Sequence, residues 1–123
     1  MAKKILIADD EPNIVISLEF LLKREGYQVV VAHDGVEALA RVRAERPDLA
    51  ILDVMMPQRN GFEVCQDLRQ DPEFKDLRIM MLTAKGRDTE VSKGLALGAD
   101  VYMTKPFSTR ELISRVKTLI DRA

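Results

Sequence analysis

Five short apolar runs, each followed by a candidate helix, are the feature that most constrains the fold of this 123-residue chain. Four of these runs are almost continuously apolar, which is typical of parallel strands that are covered on both faces. Alternation of strand and helix favours a parallel sheet with right-handed crossovers and helices on both faces. The sequence therefore predicts an α/β fold with strands at 3–8, 27–32, 48–53, 77–82 and 100–104 and helices at 12–25, 35–45, 61–70, 88–97 and 108–121.

Local signals support the ends of the predicted helices. Ser108 and Glu111 have the spacing of a capping box at the start of the last predicted helix. Gly26 and Gly98 follow the first and fourth predicted helices, where a residue in the left-handed conformation commonly ends a helix. These residues indicate where the helices begin and end.

Composition limits the classes of protein to which the chain can belong. The length suits one domain, residues 1–123, and the net charge of −1 gives no basic patch for nucleic acid or an anionic membrane. No apolar run approaches the ~20 residues that span a bilayer, and the first ten residues make a poor signal peptide. Cys65 is the single cysteine, so an internal disulfide is impossible. These observations favour a cytoplasmic protein with no direct nucleic-acid or membrane partner.

Chemically distinctive side chains stand where the predicted strands end. Asp9 and Asp10 follow the first strand, and Asp53 ends the third. Thr83 follows the fourth strand, and Lys105 follows the fifth. Because function gathers at the carboxyl ends of parallel strands in such sheets, we expect these five side chains to lie close together.

Three neighbouring carboxylates require a counter-charge. At an effective dielectric constant of 20, two unit charges 4 Å apart interact by roughly 4 kcal/mol. Mg²⁺ offsets such repulsion, prefers one or two carboxylates and leaves positions for phosphate oxygens. A carboxylate at this kind of site can also act as a nucleophile and form an aspartyl phosphate. The pattern predicts a magnesium site made by Asp9, Asp10 and Asp53, with Lys105 and Thr83 able to contact a phosphoryl group.

The order and spacing of several motifs resemble those of response regulator receiver domains, the phosphoacceptor modules of two-component signalling. The motifs run through nearly the whole chain: "ILIADDE", "DGVEAL", "PDLAILDVMMPQRNGFEV", "MLTAKG" and "GADVYMTKPF". The resemblance implies one receiver domain with a flavodoxin-like (βα)5 doubly wound parallel sheet of strand order 2-1-3-4-5. It also implies a signalling domain that assists its own phosphorylation and dephosphorylation only, and not an enzyme with an external substrate.

The resemblance assigns roles to individual residues. It implies that Asp53 is the phosphorylation site and that Asp10 and Asp53 bind Mg²⁺ directly. It further implies that Asp9 assists through a water molecule and that the backbone carbonyl of Met55 is a ligand.

The remaining roles concern the phosphoryl group and the switch. Thr83 and Lys105 would contact the phosphoryl group, and Tyr102 would be the aromatic switch residue that turns inward when Thr83 moves. The resemblance also implies a cis peptide bond between Lys105 and Pro106.

The expected partners follow from the same resemblance. A histidine of a sensor kinase or of a histidine phosphotransfer protein would supply the phosphoryl group. A downstream effector or a fused output domain would read the face formed by the fourth helix, the fifth strand and the fifth helix. Val91, Leu97 and Val101 stand near positions of that face where charges are expected. They indicate either a partner site or residues that pack into the core.

Several alternative interpretations compete with this one. An aspartate-nucleophile phosphatase has a similar sheet, but Met55 stands where that class has its second aspartate. A receiver-like interaction module that works without phosphorylation is a further alternative, and the complete acidic set argues against it. A nucleotide or flavin module would need a glycine-rich phosphate loop after the first strand, which is missing. Taken alone, the acidic run could stabilise the start of the following helix, and Glu11 is expected to do so.

Overall fold

A five-stranded parallel sheet forms the centre of the computed structural model, which describes residues 2–83 and 97–121. The strands are β1 (Lys4–Ala8), β2 (Gln28–Ala32), β3 (Leu49–Asp53), β4 (Arg78–Thr83) and β5 (Val101–Thr104). The helices among the described residues are α1 (Pro12–Arg24), α2 (Gly35–Glu45), α3 (Gly61–Gln70) and a last helix (Thr109–Asp121). These bounds confirm the predicted strands and four of the predicted helices. The predicted helix at 88–97 lies, apart from Leu97, outside the described residues.

The strand order is β2-β1-β3-β4-β5, as predicted, and all four pairings are parallel. β3 lies in the middle of the sheet, and all five of its residues are buried. Asp53 is therefore the end of the most enclosed strand. Because neighbouring strands are parallel, the residues that follow β1, β3, β4 and β5 all emerge at one edge, which we call the carboxyl edge.

Alternate strand residues face opposite sides of the sheet and build two cores. One core joins the sheet to α2 and α3, and the other joins it to α1 and the last helix. Cys65 is buried in the first core, where it packs between α3 and the sheet. Leu97 packs against the first core and Val101 against the second, so the core-facing interpretation is correct for both; Val91 lies outside the described residues.

Polar side chains cap the starts of three helices, and two glycines adopt the left-handed conformation. Asp34, Asn60 and Ser108 each accept a hydrogen bond from the backbone N–H three residues further on, which satisfies a donor in the first helical turn. Gly26 and Gly98 have φ values of 95° and 103°, the left-handed conformation predicted for them. No helix in the described ranges is both long and apolar enough to pass through a bilayer.

Candidate functional site

Three aspartates converge at the carboxyl edge. β1 and β3 are neighbours in the sheet, so Asp9 and Asp10, which follow β1, reach the end of β3. Carboxylate oxygens of Asp9, Asp10 and Asp53 all lie within 4.8 Å of one another. Asp9 and Asp53 are buried, whereas Asp10 is exposed. The prediction that these carboxylates meet is confirmed.

Lys105 is the cation at this cluster. Its Nζ lies 2.9 Å from a carboxylate oxygen of Asp9, 3.2 Å from one of Glu11 and 3.5 Å from one of Asp53. Only 9% of the lysine side chain is exposed, so it is not an ordinary surface lysine. One ammonium group therefore contacts three carboxylates, and among the described residues the cluster has an excess of negative charge.

This excess of charge changes the ionisation of Asp53. Burial, followed by the negative charge of Asp9, raises the pKa of Asp53 to about 7, although Lys105 opposes the change. Burial alone would lower the pKa of Lys105, but its hydrogen bond to Asp9 and the charges of Asp53 and Asp9 raise it overall. Lys105 is therefore a charged ammonium at neutral pH. The ionised form of Asp53 is disfavoured, because the described residues near it carry more negative than positive charge.

Glu11 lies at the start of α1 and also contacts the acidic cluster. It precedes α1, yet its side chain makes no capping hydrogen bond, and Pro12 at the start of the helix has no backbone N–H to offer. The Glu11 carboxylate instead contacts Lys105, and its own backbone N–H donates to Asp9 over 2.9 Å. Glu11 is nevertheless the N-cap residue of α1, and its carbonyl accepts hydrogen bonds from the N–H groups of Ile14 and Val15. Its negative charge therefore lies at the start of the helix, where it was expected, and the stabilisation of that helix end stays a prediction.

Residues 54–60, which we call the β3–α3 loop, follow Asp53 directly. The Met55 N–H lies 3.4 Å from Oδ1 of Asp53, which brings the Met55 backbone beside the carboxylate. The Gly61 N–H donates to the Val54 carbonyl over 3.0 Å and closes the base of the loop. The side chain of Met55 is 72% exposed, so the residue belongs to the site through its backbone.

Gly61 matters to this site although the sequence interpretation passed over it. A Cβ at Gly61 would overlap the backbone carbonyl oxygen of Asp53 and lie 2.9 Å from Cε of Met81. The sequence did contain a signal for this contact, because a glycine in the first turn of a helix lowers the stability of that helix. A glycine is therefore expected there mainly where another group must approach the backbone closely.

Thr83 and Lys105 are joined through their backbones. Thr83 is buried at the end of β4, and its carbonyl accepts a hydrogen bond from the Lys105 N–H over 2.6 Å. Tyr102 lies on β5 opposite Met81 and is partly buried against the first core. The peptide bond between Lys105 and Pro106 is cis, as predicted. The roles of Thr83 and Tyr102 in signalling stay predictions.

The fold and the acidic edge define a class of signalling domain. The chain belongs to the response regulator receiver domain family, whose model matches residues 5–117. It is a receiver domain of the kind found in two-component response regulators.

Individual relatives agree with that assignment. The alkaline phosphatase synthesis transcriptional regulatory protein PhoP of Bacillus subtilis (strain 168) is 51% identical over all 123 residues. The chain spans 50% of the length of that relative. A putative response regulator from Chloroflexus aurantiacus J-10-fl has a TM-score of 0.94 at 38% identity, over 98% of this chain and 99% of its own. The chemotaxis response regulator CheY4 of Vibrio cholerae has a TM-score of 0.91 at 34% identity, over 97% and 99%.

Proposed function

We propose that this receiver domain accepts a phosphoryl group on Asp53 in the presence of Mg²⁺. The donor is a phosphorylated histidine of a sensor kinase or of a histidine phosphotransfer protein. The observation that carries the proposal is the cluster in which carboxylate oxygens of Asp9, Asp10 and Asp53 lie within 4.8 Å, with the ammonium of Lys105 beside it. The cytoplasm is the compartment in which such a kinase domain and this regulator would meet.

The residues present suit a hard divalent cation. Asp10 and Asp53 would supply carboxylate oxygens, the Met55 carbonyl would supply a backbone oxygen, and Asp9 would contribute through a water molecule. When bound, Mg²⁺ would supply positive charge for the carboxylates and for phosphate oxygens. A set made only of oxygen donors matches this ion better than a softer metal. The exposure of Asp10 leaves a side from which the ion and the phosphoryl donor can approach.

Asp53 is the nucleophile in this proposal. One of its carboxylate oxygens attacks the phosphorus atom, the new O–P bond forms, and the P–N bond to the donor histidine breaks. The bonding electrons of the P–N bond stay on the histidine nitrogen. Asp53 must be ionised for this step, and added positive charge lowers a pKa that otherwise lies at about 7.

Lys105 and Thr83 stabilise the transferred group. The ammonium of Lys105 already lies 3.5 Å from Oδ1 of Asp53, so it can neutralise charge that arrives there. Thr83 ends the neighbouring strand, and its hydroxyl donates to a phosphoryl oxygen. The movement of Thr83 frees space that the partly buried Tyr102 side chain then fills.

The output follows from this switch. Tyr102 lies on β5, beside the last helix in the chain, so its movement alters the surface that a downstream effector or a fused output domain reads. The predicted fourth helix would complete that surface, and it lies outside the described residues. Among the described residues of the surface, Leu97 and Val101 pack partly against the cores, so they give little support for an apolar partner site there.

Mass spectrometry after treatment with acetyl phosphate tests the proposal. With Mg²⁺ present, the wild-type chain is expected to gain the mass of one phosphoryl group, and Asp53→Ala is expected to gain none. Asp76→Ala is the matched control, because Asp76 is an exposed carboxylate at the opposite edge of the sheet. Removal of Mg²⁺ with a chelator should suppress the gain in the wild type and in Asp76→Ala. A gain that persists in Asp53→Ala would exclude Asp53 as the acceptor, and turnover of the phosphodonor without a stable adduct would favour a phosphatase.

A further inference from the structure

The tip of the β3–α3 loop rests on the first residue of α2. The Pro57 carbonyl accepts hydrogen bonds from the N–H groups of Gly35, over 3.3 Å, and Arg59, over 2.9 Å. There is no room for a side chain at this contact. A Cβ on Gly35 would overlap the carbonyl oxygen of Arg59 and lie 2.6 Å from its carbonyl carbon and 2.7 Å from its Cβ. Two backbones therefore touch where α2 begins.

The conformation of the loop tip makes this contact important. Gln58 has a φ of 70°, in the left-handed region that costs a residue other than glycine roughly 1 kcal/mol or more. Such a conformation persists only where neighbouring contacts hold it. The two hydrogen bonds to the Pro57 carbonyl are contacts of this kind, and one of them comes from Gly35.

We propose that Gly35 is a positioning residue for the metal site, because its lack of a side chain lets the loop tip sit against α2 and so fixes the backbone of Met55. This inference rests on the proposed function, in which the Met55 carbonyl is a Mg²⁺ ligand. Met55 is two residues from Pro57, and its N–H contacts the Asp53 carboxylate. Mg²⁺ requires nearly ideal octahedral geometry with bonds of about 2.0–2.1 Å, so a small displacement of the loop weakens binding.

Helix propensity predicts the direction in which Gly35→Ala should change the stability of α2 if no contact opposed it. Gly35 is the first residue of α2, and replacement of glycine by alanine within a helix stabilises it by about 1 kcal/mol when nothing else changes. Without the close contact to Arg59, Gly35→Ala would be neutral or stabilising. With the contact to Arg59, the same substitution must push a backbone segment away, since the nearest atoms belong to the main chain of the loop.

Titration calorimetry with Mg²⁺ on the metal-free protein is the main test. Gly35→Ala is expected to raise the dissociation constant about tenfold or more, the effect typical of residues that support metal ligands. Gly26→Ala is the control for a strained glycine, because Gly26 has a φ of 95° and a Cβ there would meet nothing within 4 Å. It should lower stability but leave Mg²⁺ affinity unchanged. Val36→Ala, at an exposed side chain in the same turn as Gly35, should change neither.

Two further measurements keep the test decisive. Without Mg²⁺, amide hydrogen exchange in residues 54–60 should be faster in Gly35→Ala than in Gly26→Ala. Insertion of one glycine between Gln58 and Arg59 should free the tip without adding a side chain to α2, and it should weaken Mg²⁺ binding to a similar degree. This variant answers the question even if Gly35→Ala does not fold.

The outcomes separate this inference from the proposed function. If the wild-type protein binds no Mg²⁺, the proposed function fails first. If the wild type binds Mg²⁺ and both Gly35→Ala and the insertion bind it equally well, Gly35 has no positioning role and the proposal is overturned. Weaker binding in these two variants, with wild-type affinity in Gly26→Ala and Val36→Ala, is the supporting result.

Discussion

The two edges of the sheet differ in how well the charges of partly buried side chains are balanced. At the amino edge, where β4 and β5 begin, Arg69 of α3 faces Asp100, with 3.0 Å between Nη2 and Oδ2. Asp100 also accepts a hydrogen bond from the Ile79 N–H, and Arg69 donates to the carbonyls of Gly98 and Leu77. At the carboxyl edge, one lysine contacts three carboxylates.

This difference separates a structural cluster from a binding site. At the amino edge, the Asp100 carboxylate faces Arg69 and, over 3.9 Å, also Arg78, so its negative charge is fully offset within the protein and no added cation is needed. At the carboxyl edge, the negative charge exceeds the positive charge that the described residues provide. The folded chain bears that cost unless a cation is added, which is why we assign function to the second cluster and stability to the first.

Arg69→Ala should have the largest effect on stability. Its removal leaves several backbone carbonyls without their donor and takes the nearer arginine from Asp100, which keeps the Ile79 N–H and the more distant Arg78. We therefore expect the free energy of unfolding to fall by about 2–4 kcal/mol. Urea denaturation measures this fall, and Arg43→Ala, at an exposed arginine of α2, should stay within about 0.5 kcal/mol of the wild type. Mg²⁺ affinity should not change in either variant. A loss in Arg69→Ala no larger than in Arg43→Ala would mean that the amino edge is not a structural cluster.

Asp53→Asn should act in the opposite direction when no metal is present. It removes one of the mutually repelling carboxylates, so we expect the free energy of unfolding to rise by about 1–2 kcal/mol above neutral pH. Urea denaturation in the presence of a chelator measures the difference. Asp48→Asn is an instructive contrast, because Asp48 accepts a hydrogen bond from the Lys4 N–H at the amino edge and its substitution should destabilise the protein.

The pH dependence of that difference has a definite sign. The pKa of Asp53 is raised from 3.8 to about 7, so between these pH values the folded wild type binds more protons than the unfolded chain. The free energy of unfolding of the wild type therefore falls as pH rises through this window. The advantage of Asp53→Asn should be small near pH 4, increase with pH and level off above about pH 7. An advantage that is constant with pH would contradict the proposed origin of the effect.

The sequence predicted the sheet, its order and the meeting of the carboxylates, because each rests on patterns with a direct physical meaning. Apolar runs gave the strands, and parallel strands necessarily bring Asp9, Asp10 and Asp53 to one edge. The position of Lys105 followed from the same reasoning. These features depend on topology and not on the details of packing.

Contacts between segments far apart in the chain could not be read in the same way. The contact of the Glu11 carboxylate with Lys105, over 3.2 Å, joins residues that are 94 positions apart in the chain. The contact between Gly35 and Arg59 depends on how closely two backbones approach, and the sequence shows only a glycine after a helix-capping aspartate.

Glu11→Gln should have the smallest effect and tests whether burial, and not charge alone, distinguishes the carboxyl edge. The Glu11 side chain is 58% exposed, so water screens both its attraction to Lys105 and its repulsion from the other carboxylates. The two contributions oppose each other, and we expect the free energy of unfolding to change by no more than about 0.5 kcal/mol, as for exposed ion pairs. Urea denaturation at low and high salt should give nearly the same difference from the wild type. If Glu11→Gln stabilises the metal-free protein as much as Asp53→Asn does, the cost lies in the number of negative charges, and burial of Asp53 is not what makes this edge a site.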